Sequence, residues 1–360
     1  MIETPALLLH LDVVEANLAQ MAARGAALGI AIRPHVKTHK CVELGRRQIA
    51  HGARGVTVST LDEAAVFAAA GFEDILWAFP IDPGHIARAR RVGERTRLGV
   101  VVDDLDTARA LRGSGLAGWL KVDCGYHRAG VDPASPYALA VADALSGPGA
   151  SFGGIASHSG HAYKTRNRRE AAAVAEEERR VMAAFAERLR RAGIAVPAVS
   201  VGSTPALMAL ERAEGVTEGR PGNYVFFDRT MVEIGVARPE DVGVTVLATV
   251  VSHQPGSSQL VVDAGALALS KDGGPTHLGL APAMGAIRGH PELTLTSLSQ
   301  EHGIVQAATP DVLEGRFKVG ETLEIVPNHS CLTVAQFDRY HVMQGGREIA
   351  SWKIERSRAT

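Results

Sequence analysis

The sequence predicts an α/β chain: a (β/α)8 TIM-type barrel with a second, C-terminal β domain. Between residue 30 and about residue 230, eight short apolar or β-branched runs alternate with longer helical stretches. The runs are almost continuously apolar, as strands covered on both faces of a parallel sheet must be, and eight such units favour a closed barrel over an open sheet. After residue 235 helical spacing stops, and strand-like runs separated by Gly and Pro take over.

The opening run Ala6 to Leu11 reads as a strand and Val13 to Leu28 as a helix. Barrel strands are then expected at Ala31–Val36, Gly55–Ser59, Ile75–Phe79, Leu98–Val102, Trp119–Val122, Gly154–Ser157, Ala198–Val201 and Asn223–Phe227. Helical patterns separate them at Val42–His51, Leu61–Ala70, Pro83–Val92, Leu105–Leu111, Tyr137–Leu145, Arg168–Arg191 and near Pro205–Arg212. Thr60 ahead of Leu61-Asp62-Glu63 is an N-cap signal, and Gly71 a C-terminal stop. In the second domain, strands are expected at Gly243–Val251, Gln259–Asp263, Glu321–Val326 and Tyr340–Met343. At 360 residues the chain exceeds a usual single core, and the change of texture divides it into 1–235 and 236–360, with the N-terminal strand a candidate to join the second part.

Composition narrows the partners. Lys and Arg (38) almost balance Asp and Glu (39), which argues against a nucleic-acid footprint or an anionic membrane surface and leaves a small molecule as the expected partner. No apolar stretch is long enough to span a bilayer, and the first residues lack the features of a signal peptide. Three scattered cysteines, Cys41, Cys124 and Cys331, suit a reducing cytoplasm better than a disulfide framework.

In such a barrel, chemistry collects just after the strands. Lys37, in Arg33-Pro-His-Val-Lys-Thr-His-Lys40, follows the first strand, with Arg33 and Lys40 as neighbouring cations. A lysine amine there can condense with an aldehyde. Arg128 follows the fifth strand; His158, His161 and Tyr163 follow the sixth; Gly202-Ser203-Thr204 follows the seventh; and Pro221-Gly222-Asn223 leads into the expected eighth. Each Gly-rich turn alone is ordinary punctuation, and Tyr163 or either histidine can equally serve a local structural role. The loops after strands seven and eight are nevertheless where barrels hold phosphate. An amine for an aldehyde together with a phosphate cradle points to pyridoxal 5′-phosphate. In the second domain, Pro327-Asn-His-Ser-Cys331 would set His329 and Cys331 on one face of a strand, a donor pair for a divalent metal.

These residues resemble the fold type III pyridoxal enzymes of the D-threonine aldolase and D-serine dehydratase family, related to alanine racemase. The resemblance runs through Pro34-His-Val-Lys-Thr-His39, Val58-Ser-Thr60, Val122-Asp-Cys-Gly-Tyr-His-Arg-Ala-Gly130, Gly202-Ser-Thr-Pro205, Pro221-Gly-Asn-Tyr224, Glu301-His-Gly303 and Pro327-Asn-His-Ser-Cys331. It implies that Lys37 bonds the cofactor, that Tyr163, Thr204, Gly222 and Asn223 contact it, and that His329 and Cys331 hold the metal. Ser203 and Arg128 join the cofactor candidates by position, and Glu301-His302-Gly303 reads as structural rather than catalytic. The implied activity is a lyase reaction on a D-3-hydroxy amino acid, with a homodimer as the assembly. Two departures stand out, the first bearing on the cofactor contacts and the second on the branch. Dehydratase-like relatives often carry a tyrosine where this chain has Ala156, and aldolase relatives commonly show His-x-Asp where it has His329-x-Cys331. The thiolate favours zinc over Mn²⁺ or Mg²⁺ and tilts the reading toward D-serine-type dehydration, with retro-aldol cleavage of a D-threonine type as the alternative. A racemase would need a second base, for which the β domain offers the single tyrosine Tyr340, and a pyridoxal phosphate carrier would lack the second domain.

Overall fold

The computed structural model describes residues 2–355, which fall into two compact units, 18–222 and 2–17 together with 223–355. No helix among the described residues is long and apolar enough to cross a membrane.

The first unit is the parallel barrel. Its strands Ala31–Ile32, Val56–Val58, Asp74–Pro80, Arg97–Val102, Ala117–Lys121, Phe152–Ala156, Val199–Val201 and Glu218–Gly219 are joined in parallel register, each next to its neighbour in sequence, with Glu218–Gly219 returning to Ala31–Ile32. The remaining seam closes through a bridge between His35 and Thr57, where the Thr57 amide donates to Pro34 O at 2.7 Å. A wide apolar layer, including Val58, Phe67, Val100, Leu120, Ile155 and Phe185, seals strands to helices. Inside, Trp119 packs with Leu76, Val101, Ala156 and Ala198. The indole lies so close to the next strand that a Cβ on Gly153 would meet Trp119 Nε1 at 2.3 Å, so glycine is required there.

The eighth strand is not where the sequence put it. Asn223–Val225 is a 3-10 turn, and Glu218–Gly219 takes the strand position. A run-of-apolar criterion passes over Glu218 because it is charged. Its carboxylate is buried against Arg33, whose Nε donates at 2.8 Å, and against the Ser200 hydroxyl at 2.6 Å. Arg33 also pairs with Asp74 at 2.7 Å, and Lys40 pairs with Glu63, so both sequence neighbours of Lys37 are occupied in ion pairs of their own.

The second unit is antiparallel. Strands Val244–His253, Gln259–Val262, Gly303–Ala307, Leu293–Leu298, Gly285–Ile287 and Thr322–Pro327 pair in that order and return to Val244–His253, which closes a second barrel. Ala6–His10 adds to Val244–His253 antiparallel and to Arg339–Gln344 parallel, and Arg347–Lys353 forms the edge. Three strands of the barrel, at 285–287, 293–298 and 303–307, were not expected. Glu301 and His302 lie in the hairpin turn between two of them, where Ser299 N donates to His302 O at 2.8 Å. The unit begins at residue 223, ahead of the change in texture near 235. Phe226 packs against Tyr340 with tilted rings 5.8 Å apart, and Phe226 O accepts from Gly243 N, which draws this stretch into the later sheet.

Replacing Arg33 by alanine strands the Glu218 carboxylate in the barrel. The expected loss of stability is about 3 kcal/mol, read from denaturant unfolding, and a loss below about 1 kcal/mol would contradict the assigned role.

Candidate active site

Each barrel strand ends in a turn that carries polar side chains, and in the first unit these turns converge. Lys37 sits half-buried in the 3-10 turn Val36–Thr38, directly after the His35 bridge, so the bond that closes the barrel also fixes the turn bearing the amine. Lys37 is close enough to His35 and to His158, from the sixth loop, to disfavour a charge on either ring. Burial is the larger cause, and both imidazoles are held well below the usual histidine range and are neutral. His158 Nδ1 lies 3.1 Å from Gly202 O; a carbonyl can only accept, so Nδ1 carries the proton.

Two cations that the sequence reading missed complete this cluster. Lys121, the last residue of its strand, is 8% exposed, and burial followed by repulsion from Arg220 lowers its amine to about 8. Arg220 is buried and donates to Ser200 Oγ and Ser157 O. Lysine and arginine are almost never fully buried without a partner or purpose, so a lysine inside the run Trp119 to Val122 was the available signal.

Arg128 is exposed, and its guanidinium lies 5.0 Å over the Tyr126 ring. It does not pair with Asp123, which is engaged by His127 at 2.8 Å, while Asp103 accepts from Gly130 N. Tyr126 also stacks on His161, whose Nδ1 is buried and has no hydrogen-bond partner. Tyr163 is half-buried in the same 3-10 turn, Gly160–Lys164. Ser203 is buried and donates to Ser159 O at 3.1 Å, and Thr204 Oγ1 accepts from Gly222 N at 3.2 Å, which ties the seventh turn to the end of the eighth. A Cβ on Gly222 would come within 2.9 Å of Thr38 Oγ1 and 3.2 Å of His35 O, so only glycine lets these turns meet. Lysine, buried cations, short hydroxyls and an unpartnered imidazole nitrogen around one strand-end cluster fit an anionic aldehyde such as pyridoxal phosphate.

Asn223 belongs by its contacts to the second unit. Its Nδ2 donates to Asp228 Oδ2 at 2.6 Å and to Ser330 Oγ at 3.0 Å, and its Oδ1 is buried without a partner. His329 and Cys331 are not on a strand. The strand ends at Pro327, His329 is the N-cap of the short helix Ser330–Val334, and Cys331 lies in its first turn. They converge all the same, because the imidazole hydrogen-bonds Cys331. The helix start is held from outside: Asp228, fully buried, accepts from Ser330 N at 3.0 Å and caps a second helix through Met231 N. Asp272 Oδ2 lies 3.2 Å from His329 Nδ1 and orients the ring. Burial opposes charge on His329, but Asp272, Cys331 and Asp228 outweigh it and raise the imidazole to about 11. Among the described residues no group of three or more His, Cys, Asp or Glu is placed to enclose a metal, so the fit is to an open site with two protein donors, one nitrogen and one sulfur. Tyr340 is fully buried against Phe226, which removes it as a ready second base.

Comparison with known proteins agrees with this geometry. Residues 9–230 match the alanine racemase N-terminal domain and residues 243–343 a putative serine dehydratase domain. The D-threo-3-hydroxyaspartate dehydratase of Delftia sp. (strain HT23) is 40% identical, covering 98% of this chain and 97% of that one. The D-serine dehydratase of Dictyostelium discoideum is 36% identical over 97% of this chain and 95% of its own, and the D-threonine aldolase of Arthrobacter sp. is 33% identical over 98% and 92%. The solved Delftia structure superposes with a TM-score of 0.94 at 39% identity, over 98% of this chain and 97% of that one. A cysteine-to-alanine variant of D-threo-3-hydroxyaspartate dehydratase, in its metal-free form, matches with the same TM-score, identity and coverage. Alanine racemase of Bacillus anthracis, at 13% identity and a TM-score of 0.72, shares the fold. The chain belongs to the pyridoxal-phosphate-dependent lyase family of D-serine dehydratases and D-threonine aldolases, built on an alanine racemase-type barrel.

Proposed function

We propose that this enzyme dehydrates a D-3-hydroxy amino acid to a 2-oxo acid and ammonia, using pyridoxal phosphate and a divalent metal, zinc by preference. The observation that carries the dehydratase reading is the His329-x-Cys331 pair, where aldolase relatives commonly have His-x-Asp. Higher identity to the two dehydratases, at 40% and 36%, than to the aldolase, at 33%, supports the same branch.

When bound, pyridoxal phosphate supplies an electron sink for charge left at Cα, and the metal supplies a Lewis acid for the β-hydroxyl. Lys37 Nζ would hold the cofactor, and its free amine would be the base that takes the proton from Cα. Ser203, Thr204 and Gly222 would line the phosphate site, with Tyr163 and Arg128 as further cofactor contacts. Lys121 and Arg220 offset its charge. His158, with its proton fixed on Nδ1 by Gly202 O, presents Nε2 as a neutral acceptor. In the second unit, His329 and Cys331 would offer nitrogen and sulfur to the metal, and Asp272 holds His329 by Nδ1. Retro-aldol cleavage to glycine and an aldehyde is the alternative, since it draws on the same residues and differs in which bond at Cβ breaks. The substrate is a small D-amino acid, and the assembly we propose is a homodimer.

Lys37→Ala should abolish the visible band of lysine-bound cofactor together with turnover; a variant that keeps both sinks the reading. Incubation with D-threo-3-hydroxyaspartate, D-serine and D-threonine should yield 2-oxo acid and ammonia from at least one of the first two. Glycine as the main product would move the assignment to the aldolase. Because the raised His329 proton competes with metal, apparent metal affinity should rise with pH and uptake should release protons. Asp272→Asn should weaken metal affinity about tenfold or more, measured by competition with a chelator.

A further inference from the structure

The helix Arg168–Arg191 carries three consecutive glutamates. Glu176 and Glu177 face outward in ion pairs with Arg179 and Arg180. Glu178 points inward and is 1% exposed. Burying a carboxylate costs several kcal/mol unless its oxygens are met by donors. Here they are: Oε1 accepts from Ser157 Oγ at 2.7 Å and from Gly202 N at 3.1 Å, with Cys124 Sγ at 3.8 Å, and Oε2 accepts from Ser159 Oγ at 2.6 Å. One side chain thus reaches the turns after the fifth, sixth and seventh strands. The chain of contacts continues, because Ser203 Oγ donates to Ser159 O. Lys121 and Arg220 both feel the Glu178 charge.

Stability does not explain this residue. Well-packed apolar side chains usually replace buried ions at no loss, and the strands here are already joined through their backbones. What a carboxylate adds is simultaneous capture of the Gly202 amide and two serine hydroxyls, which fixes the orientation of Gly202-Ser203-Thr204. We propose that Glu178 is a positioning residue that holds this turn in the shape that binds the phosphate of the cofactor. The inference rests on the assignment of that turn to the phosphate.

The test uses the full-length enzyme stripped of cofactor and titrated with pyridoxal phosphate and, separately, with pyridoxal, which lacks the phosphate. Glu178→Gln keeps the volume and removes the charge; Ser159→Ala removes the hydroxyl that donates to Glu178 Oε2, leaves the backbone O that accepts from Ser203, and decides the matter if the first variant does not fold. Glu178→Gln should weaken pyridoxal phosphate binding about tenfold or more, and Ser159→Ala about threefold, while pyridoxal affinity changes less than about twofold. At saturating cofactor, kcat should stay within about twofold of wild type. Equal losses for the two ligands, or an unchanged affinity beside a lowered melting temperature, would show Glu178 to be a packing residue and overturn the proposal. A wild-type enzyme that binds pyridoxal as tightly as pyridoxal phosphate would instead overturn the phosphate assignment itself.

Discussion

Positive charge buried inside a narrow barrel is the constraint on which the first unit depends. Arg33 and Arg220 sit among strands whose other inward groups are largely apolar, and Lys121 ends one of them. Two carboxylates, Glu218 and Glu178, are buried with them, one bonded directly to Arg33 and the other beside Lys121 and Arg220. Low dielectric makes each of these groups costly alone and strongly coupled together. The result is a rigid polar lining held by ion pairs and serine hydroxyls, with two histidines forced neutral at its edge. Such a lining resists reorganisation, which is what an anionic cofactor and a charge developing at Cα both require of their surroundings.

The second unit solves an analogous problem with a different device. Its candidate donor pair, His329 and Cys331, lies at the start of a helix of five residues, too short to hold its place by propensity. Asp228 supplies the anchor, taking Ser330 N and Asn223 Nδ2 on one oxygen and Met231 N on the other. Asp272 then sets the rotation of the imidazole. The donors are therefore placed by two carboxylates distant in sequence, at 228 and 272.

Much of this was legible in the sequence, and the rest was not for identifiable reasons. Seven of the eight parallel strands and the helix Arg168–Arg191 follow from apolar runs and helical spacing, which report burial directly. The eighth strand failed because its burial is electrostatic: Glu218 enters the barrel as the partner of Arg33, and a hydrophobicity pattern cannot see a pair formed across 185 positions. Gly285–Ile287 and Gly303–Ala307 were passed over because they are short and begin with glycine, whereas the Leu-Thr-Leu-Thr alternation at the start of Leu293–Leu298 was an available signal. Lys37, Thr204 and Gly222 could be singled out as candidates because they directly follow strands or fill turns. Lys121, Arg220, Glu178 and Asp272 were missed because their roles come from what they face in space.

The strand Ala6–His10 has a consequence for biosynthesis. It is synthesised more than 200 residues ahead of both its sheet neighbours, Val244–His253 and Arg339–Gln344. Until they appear, a fully apolar stretch, Ala6 to Leu9, has no edge to join and must be kept from pairing with other nascent chains. Docking of that segment completes the sheet only once both neighbouring strands have been made.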